Sequence, residues 1–157
     1  MKYARLTKEQ LEAMQDEFIN FLATQSITAD EWKKIKTETP EVAEQELDVF
    51  SDLIWEGVLN KVKYIEHISP QQLFLFHIAE AHMALVAIKI EDKAIDITTP
   101  HGYKWLQQNI HDDIVSMYTS TKPISDDRNS DVFQLIQKGG VITKGELYNF
   151  FSKLLNK

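Results

Sequence analysis

The stretch from residue 61 to residue 98, KVKYIEHISPQQLFLFHIAEAHMALVAIKIEDKAIDIT, decides the fold of this 157-residue chain. Its first eight residues roughly alternate between apolar and polar side chains, which is the period of a strand with one buried face. Segments 73–78 and 82–90 are apolar on both faces, and the second is β-branched towards its end. We interpret the stretch as three or four short strands of an antiparallel meander, the last carrying Ile95 and Ile97.

One long helix that begins at Ser69 and Pro70 is the alternative interpretation of residues 69–90. Such a helix would be apolar all round, which suits only a fully buried element. The antiparallel sheet is therefore the prediction, and a hairpin is favoured over a helix for these residues.

Signals for helix starts precede the stretch. Each is a Thr followed either by Glu or Gln three residues later or directly by Pro. The three signals are Thr7 with Gln10, Thr28 with Glu31, and Thr39 with Pro40. The first helix is expected to run to about Gln25, and the third to about Gly57 or Asn60.

Helix signals return after residue 98, with a polar loop expected at 120–129. They are a start at Thr99-Pro100, a stop at Gly139-Gly140 and a fourth capping box at Thr143 and Glu146. The predicted fold class is α+β, with an N-terminal helical unit, a small central antiparallel sheet at about 61–98 and C-terminal helices. Without repeats, linkers or low-complexity tracts, residues 1–157 are expected to form a single domain.

Composition narrows the class of protein. The chain has no cysteine, which excludes a disulfide scaffold and a thiolate metal site. Its longest apolar run, residues 83–88, is far shorter than the roughly 18 residues of a membrane span, and the N-terminus lacks the apolar core of a signal peptide. A pI near 5.2 argues against nucleic-acid binding. We therefore expect a soluble cytoplasmic protein that binds neither membranes nor nucleic acids.

Residues 37–60 contain seven carboxylates and no Lys, Arg or His, which equals the whole net charge of −7. On a helical wheel, five of these carboxylates share an arc of roughly 120° with Trp55, while apolar side chains fill an arc of roughly 180° opposite. So wide an apolar arc predicts a central helix packed by two neighbours. We call the first group the acidic edge, and its members are Glu41, Glu44, Asp48, Asp52, Trp55 and Glu56.

Two interpretations of the acidic edge stay open. The first is a solvated face neutralised within the chain by Lys33, Lys34 and Lys36. The second is a docking surface for a basic protein partner, with Trp55 as a binding hot spot. Glu46 lies inside the apolar arc instead, and we expect it to form an ion pair with one of the chain's arginines, Arg5 or Arg128.

The remaining polar clusters predict no catalytic, metal or cofactor site. His77, Glu80 and His82 form the one cluster of histidine and carboxylate, and they lack a zinc-binding spacing. Residues 126–129 are best interpreted as a hydrogen-bonded loop that caps the next helix. The alternative candidate is a pocket between sheet and helices, lined by His77, Glu80, His82 and Arg128.

Four segments of the chain resemble a small family of uncharacterised bacterial proteins, and the resemblance extends over nearly the whole chain. The segments are Met1–Leu11 (MKYARLTKEQL), Glu41–Leu59 (EVAEQELDVFSDLIWEGVL), Asp126–Asn129 (DDRN) and Val141–Tyr148 (VITKGELY). The resemblance implies a soluble, single-domain bacterial protein. It implies no activity, cofactor or catalytic residue.

The leading functional hypothesis is an accessory or protein-interaction domain that uses the acidic edge. The alternative is a small-molecule-binding protein or enzyme with a pocket between sheet and helices. Whether the chain is an enzyme stays open, with the non-enzymatic role favoured. A third hypothesis is a structural subunit of a homo-oligomer, which an exposed apolar patch would support.

Overall fold

Helices make up most of the first 60 residues of the computed structural model, which describes residues 1–156. Contacts group these 60 residues into one compact unit, and a second unit begins at Lys61. The helices of the first unit are α1 (Lys8–Ala13), α2 (Gln15–Thr24), α3 (Ala29–Glu38) and α4 (Pro40–Asn60). Whether the two units together form the expected single domain is not tested by this division, so the single domain stays a prediction.

Both capping boxes predicted for the first unit are present. The hydroxyl of Thr7 accepts from the N–H of Gln10, and that of Thr28 accepts from the N–H of Glu31. The prediction of one helix up to Gln25 is wrong, because the backbone leaves the helical conformation at Met14 (φ −109°, ψ 28°) and divides it into α1 and α2.

Aromatic side chains hold the first unit together. The ring of Phe18 in α2 lies 5.2 Å from that of Trp32 in α3 and 5.0 Å from that of Phe50 in α4, both edge-on. Phe21 adds a ring 5.4 Å from Phe50, which is 1% exposed. Phe50 therefore anchors α4 against its neighbours through one side of the helix.

The second unit is built on an antiparallel sheet of five strands, which confirms the α+β fold class. Its spatial order is β4-β3-β2-β1-β5. The strands are β1 (Tyr64–Ser69), β2 (Gln72–Ile78), β3 (His82–Ile90), β4 (Val115–Pro123) and β5 (Val141–Thr143), and the helices are α5 (Pro100–Gln108), α6 (Arg128–Gln137) and α7 (Glu146–Leu155). The first three strands form the predicted meander, so the single long helix is excluded.

Three predicted details of the second unit are wrong. Residues 94–98 form no strand, because the side chains of Asp92 and Asp96 accept from backbone N–H groups two residues later and fold the chain into turns. The predicted polar loop at 120–129 begins later, since residues 120–123 belong to β4. The capping box at Thr143 is also absent, because α7 begins after Gly145, whose φ is +87°.

Two further predictions for the second unit are confirmed. The side chain of Asp127 accepts from the N–H of Ser130 and caps α6, so residues 126–129 do form a capping loop. Gly139 ends that helix with a φ of +110°.

Helices α5 and α7 cover one face of the sheet. Leu106 of α5 and Phe151 of α7 are fully buried there with the apolar residues of β2 and β3. Helix α6 lies against the opposite face, where Leu135 and Met83 line a common cleft. Within residues 1–156, no helix is long and apolar enough to cross a membrane.

Candidate interaction surface on helix α4

Helix α4 begins at Pro40, whose ring favours the backbone angle of a first helical turn. The carbonyl of Thr39 accepts from the N–H groups of Val42 and Ala43. The Thr39 hydroxyl, predicted to cap α4, donates instead to the carbonyl of Ile35 at 3.2 Å. The pair of Thr and Pro therefore predicted the start correctly, but the hydroxyl serves the end of α3.

The N-terminal segment, residues 2–6, lies along the acidic edge of α4. Arg5 Nε donates to a carboxylate oxygen of Asp48 at 2.6 Å, and Arg5 Nη1 donates to Glu44 at 2.7 Å. Nη2 adds a bond to the main-chain carbonyl of Glu44 at 3.1 Å. One guanidinium thus joins two carboxylates that would otherwise repel each other across one helical turn.

The same segment also binds the next turns of α4. The carboxylate of Asp52 accepts from the backbone N–H of Lys2 at 2.7 Å and from that of Tyr3 at 2.9 Å. The Tyr3 hydroxyl donates to Glu56. The segment therefore runs antiparallel to α4, with Arg5 towards the start of the helix and Tyr3 towards its end.

Two further contacts fix the segment on α4. Trp55 Nε1 donates to the carbonyl of Ala4 at 3.1 Å, so the predicted hot spot already has a partner within the chain. The N–H of Leu6 donates at 3.1 Å to the hydroxyl of Ser51, which is fully buried and donates to the carbonyl of Leu47. Leu6 itself is buried and ends the segment.

The contacts of this segment shift two pKa values. Hydrogen bonds to Asp48 and then to Glu44 raise the pKa of the Arg5 guanidinium. Burial, followed by the hydrogen bond to Glu56, raises the pKa of the Tyr3 phenol. Both shifts favour the protonated donors that bind α4.

The neutralising residues are not the predicted ones. Arg5 forms the ion pairs with the acidic edge, whereas Lys36 lies over the ring of Trp32, 6.0 Å from its centroid. The predicted ion pair of Glu46 is also wrong, since its carboxylate accepts at 2.8 Å from the amide of Gln25. Glu46 is only half-buried, so a hydrogen bond from a neutral amide is enough to satisfy its carboxylate.

An apolar stripe on α4 remains exposed to solvent. Val49 is 57% exposed, Leu53 is 56% exposed and Val42 is 38% exposed. With about 100° per residue, these three lie within an arc of roughly 40°. We call them the apolar stripe. The prediction of neighbours across the whole apolar arc is therefore wrong for this part of it.

Carboxylates border the apolar stripe on both sides. Glu46 lies about 20° beyond Leu53 on the helical wheel, and Glu56 lies about 20° beyond Val49. Residues 1–60 as a whole carry thirteen Asp and Glu against six Lys and Arg. The exposed side of α4 thus combines an apolar centre with negative margins, which sequence analysis missed because it assigned all apolar residues to the core.

The alternative pocket residues have different surroundings. His77 stacks on Tyr64 with ring centroids 4.8 Å apart, and Tyr148 of α7 lies 5.5 Å from the His77 ring. Glu80 and His82 are exposed near the turn between β2 and β3. His77 thus belongs to an aromatic cluster on the face covered by α7.

Arg128 has a structural role at the start of α6. Its guanidinium donates to the main-chain carbonyls of Val62 and Ala79 and to the side chain of Asn129. These bonds attach the α6 start to the strand ends. Within residues 1–156, no group of three or more potential metal ligands converges.

An apolar cleft of about 290 Å³ opens on the sheet face that α5 and α7 cover. It is lined by Ile68, Leu73, residues 97–100, Tyr103 and Leu147. Sequence analysis predicted a pocket between sheet and helices, but none of these lining residues.

Two titratable groups belong to this region. Glu66 lines a neighbouring cleft that also contains Glu146 and Leu147. Burial, and then the charge of Glu146, raise the pKa of Glu66. Burial, and then the charge of Glu66, raise the pKa of Tyr103. The apolar cleft thus adjoins a carboxyl group whose pKa is raised.

Comparison with known proteins gives a family without an assigned activity. The match is to a family described as "Family of unknown function (DUF6495)", and it covers residues 1–156. No curated protein and no solved structure matches the chain.

Proposed function

We propose that this chain, which belongs to the DUF6495 family of unknown function, is a protein-interaction domain that binds a basic amphipathic helix along α4. The observation that carries the proposal is the apolar stripe, whose three aliphatic side chains remain exposed between carboxylates. A helix with an apolar face and Lys or Arg on its flanks would complement both features.

Burial of the stripe supplies the free energy of this interaction. Full burial of an exposed Val or Leu contributes about 1.5–3 kcal/mol, so removal of the half-exposed area of Val49 and Leu53 is worth about 1 kcal/mol each. Val42 and Leu53 are eleven positions apart, which places the ends of the stripe about 16 Å apart along α4. That length accommodates about three turns of a partner helix.

Charge selects a basic partner over a second copy of the chain. Two copies that met along α4 would bring Glu46 and Glu56 of each close to the carboxylates of the other. Juxtaposed like charges oppose association, whereas Lys or Arg on a partner would pair with them.

The acidic edge has an internal role in this proposal. It holds the N-terminal segment through Arg5 and Tyr3, which leaves the neighbouring apolar stripe uncovered. The docking hypothesis therefore stays on α4, but the contact surface moves from the carboxylates of the acidic edge to the stripe and its margins.

A cytoplasmic location fits the proposal. A chain without cysteine suits a reducing compartment. The net charge of −7 favours a basic protein partner and disfavours nucleic acid.

The test is a binding titration with two matched synthetic peptides, in which fluorescence anisotropy measures binding. Both peptides form amphipathic helices with Leu at the same positions. All remaining positions are Lys in one peptide and Glu in the other. We expect the Lys peptide to bind more tightly, and its affinity to fall as salt rises. Equal binding of the two peptides, or no binding of the Lys peptide, would contradict the proposal.

Substitutions locate the binding surface. Val49→Ser with Leu53→Ser should weaken binding of the Lys peptide by about tenfold or more. Ile19→Ser is the matched control, because Ile19 is 54% exposed but lies on α2. An unchanged affinity of the double variant, or an equal loss in the control, would exclude the apolar stripe.

A second candidate function is small-molecule binding in the apolar cleft on the sheet. The observation that favours it is the placement of Tyr103 in the cleft wall, where its hydroxyl could donate a hydrogen bond to a ligand, and of Glu66 beside it. The expected ligand is small and mostly apolar, with one hydrogen-bond acceptor.

Ligand screening by saturation-transfer NMR tests this candidate. Ile68→Trp should abolish binding, because Ile68 lines the cleft, is 37% exposed and would carry an indole into the opening. Ligands that bind wild type and the variant equally would place the binding site elsewhere.

A further inference from the structure

Strand β4 presents a long uncovered edge. It is the first strand of the sheet and pairs with β3 through nine consecutive residues, from Val115 to Pro123. Seven of its nine side chains are exposed, and Tyr118 is 54% exposed. Within residues 1–156, no strand pairs with the outer edge of β4. Such an edge is a template for another strand.

The backbone groups on this outer edge follow from the ladder. In an antiparallel pair, alternate residues bond to the partner strand. Ile114 accepts from Glu91 and Ile124 donates to Ala81, so the even-numbered residues between them bond to β3. The odd-numbered residues turn their N–H and C=O groups outwards. They are Met117, Thr119 and Thr121, with the carbonyls of Val115 and Pro123 at the two ends, because the N–H of Val115 donates to the carbonyl of Asp112.

We propose that a second copy of this chain pairs with β4 in antiparallel orientation about a two-fold axis at Thr119. This register sets Thr119 opposite its own copy, Met117 opposite Thr121, and Val115 opposite Pro123. It forms about six hydrogen bonds, between residues 117, 119 and 121 of the two copies, and joins the two five-stranded sheets into one of ten strands. Pro123 has no N–H and the N–H of Val115 already donates to Asp112, so the bonds of this register need neither group.

The side chains of β4 suit pairing with a copy of itself. The strand carries one charged residue, Lys122, which this register places opposite Ser116 of the other copy. Tyr118 would lie beside Ser120, and the two Thr119 side chains would meet at the axis, a favourable pair of β-branched residues. No like charges oppose each other along the interface.

The charge of the second unit also permits self-association. Residues 61–157 carry eleven Lys and Arg and eleven Asp and Glu, so their net charge is zero. The full net charge of −7 belongs to residues 1–60. A surface without net charge does not repel its copy. The lack of opposed like charges along β4 and the zero net charge of residues 61–157 therefore favour a second copy as the occupant of the edge.

Disulfide trapping tests the proposed register, because the chain has no cysteine of its own. Thr119→Cys would place two thiols on residues whose Cα atoms lie about 5.5 Å apart across the axis, within the range of a disulfide. Under mild oxidation, we expect a covalent dimer from Thr119→Cys. Thr121→Cys is the control, because residue 121 would face Met117 of the other copy and should form little dimer. Equal or faster cross-linking of the control would overturn the register.

Sedimentation of the full chain tests the interface itself. We expect wild type to show a concentration-dependent equilibrium between monomer and dimer. Thr119→Pro should be monomeric, since it removes an N–H that points away from β3 and leaves the internal ladder intact. Thr119→Val keeps that N–H and should still dimerise. A wild type that remains monomeric up to about 1 mM would overturn the proposal. A Thr119→Pro variant that melts like wild type and still dimerises would equally overturn it.

Discussion

Arg5 Nε lies 2.6 Å from a carboxylate oxygen of Asp48, although the two residues are 43 positions apart. The contact is one of several that bind the N-terminal segment to α4, and its guanidinium also reaches Glu44. Part of the negative charge of α4 therefore serves folding, because it fixes the chain's own N-terminus. The apolar stripe beside it remains exposed, and it is the surface that we propose for a partner.

Loss of the guanidinium should destabilise the first unit. We expect Arg5→Ala to lower the free energy of unfolding by about 1–2 kcal/mol, since it removes charge-assisted hydrogen bonds and leaves Glu44 and Asp48 to repel each other. Urea denaturation measures the change. Arg5→Lys should recover only part of it, because an ammonium group cannot reproduce the fork of Arg5.

Lys8→Ala is the control for the Arg5 variants, since Lys8 is exposed on α1. It should change stability by less than about 0.5 kcal/mol. If Arg5→Ala were no more destabilising than Lys8→Ala, the ion pairs would be dispensable for the fold.

The stability of Glu66→Gln relative to wild type should depend on pH. Folding raises the pKa of Glu66 above its ordinary value of 4.5, through burial and the charge of Glu146. The protonated carboxyl therefore contributes stability that is fully present below pH 4.5 and is lost as pH rises through the folded pKa. Glutamine avoids this loss, so the variant should gain on wild type as pH rises above 4.5 through the folded pKa of Glu66.

Thermal melts of both proteins at several pH values measure the effect. Glu80→Gln is the control, because Glu80 is an exposed turn residue whose replacement should give a difference that is the same at all pH values. A Glu66→Gln difference that does not change with pH would contradict the assigned cause.

Two glycines should respond to alanine in opposite ways. A Cβ atom on Gly57 of α4 meets no atom within 4 Å, so Gly57→Ala should stabilise by about 1 kcal/mol through helix propensity. Gly145 has a φ of +87°, and a Cβ atom there would lie 2.6 Å from the ring of Tyr64. Gly145→Ala should therefore destabilise by about 1–3 kcal/mol. Denaturant midpoints of the two variants should lie on opposite sides of wild type, and the same sign for both would exclude this account.

The core of the second unit should be sensitive to cavities. Phe151 of α7 is fully buried among the apolar residues of the sheet. Phe151→Ala should cost about 3–5 kcal/mol. The neighbouring Phe150 is 41% exposed, so Phe150→Ala should cost much less. Comparable losses in the two variants would contradict the assignment of Phe151, rather than Phe150, to the buried side of α7.

Local patterns in the sequence predicted the central strands and most helix starts, because these depend on residues close together in the chain. The apolar runs at 73–78 and 82–90 coincide almost residue for residue with β2 and β3. Strand β4 escaped prediction because its side chains are mostly polar and exposed, so neither face carries an apolar period. The three residues of β5 are too few to show one.

The contacts of α4 could not be predicted from periodicity. A helical wheel gives the direction of each side chain but not what covers it, so the apolar pattern predicts Val49 and Leu53 in the core, whereas both are exposed. Nothing in the local sequence relates Arg5 to Asp48. The available signal is charge, since a basic N-terminus precedes an acidic helix, but Lys33, Lys34 and Lys36 are nearer to that helix in the chain and have the same charge.

The central claim is that the exposed side of α4 is a docking surface, and NMR mapping tests it most directly. Backbone amide spectra of the ¹⁵N-labelled chain would be recorded during titration with the Lys peptide. The account predicts that the largest shift changes lie at residues 42–57, around Val49 and Leu53, and that the Glu peptide causes none. Shift changes confined to other residues, or equal changes with both peptides, would contradict it.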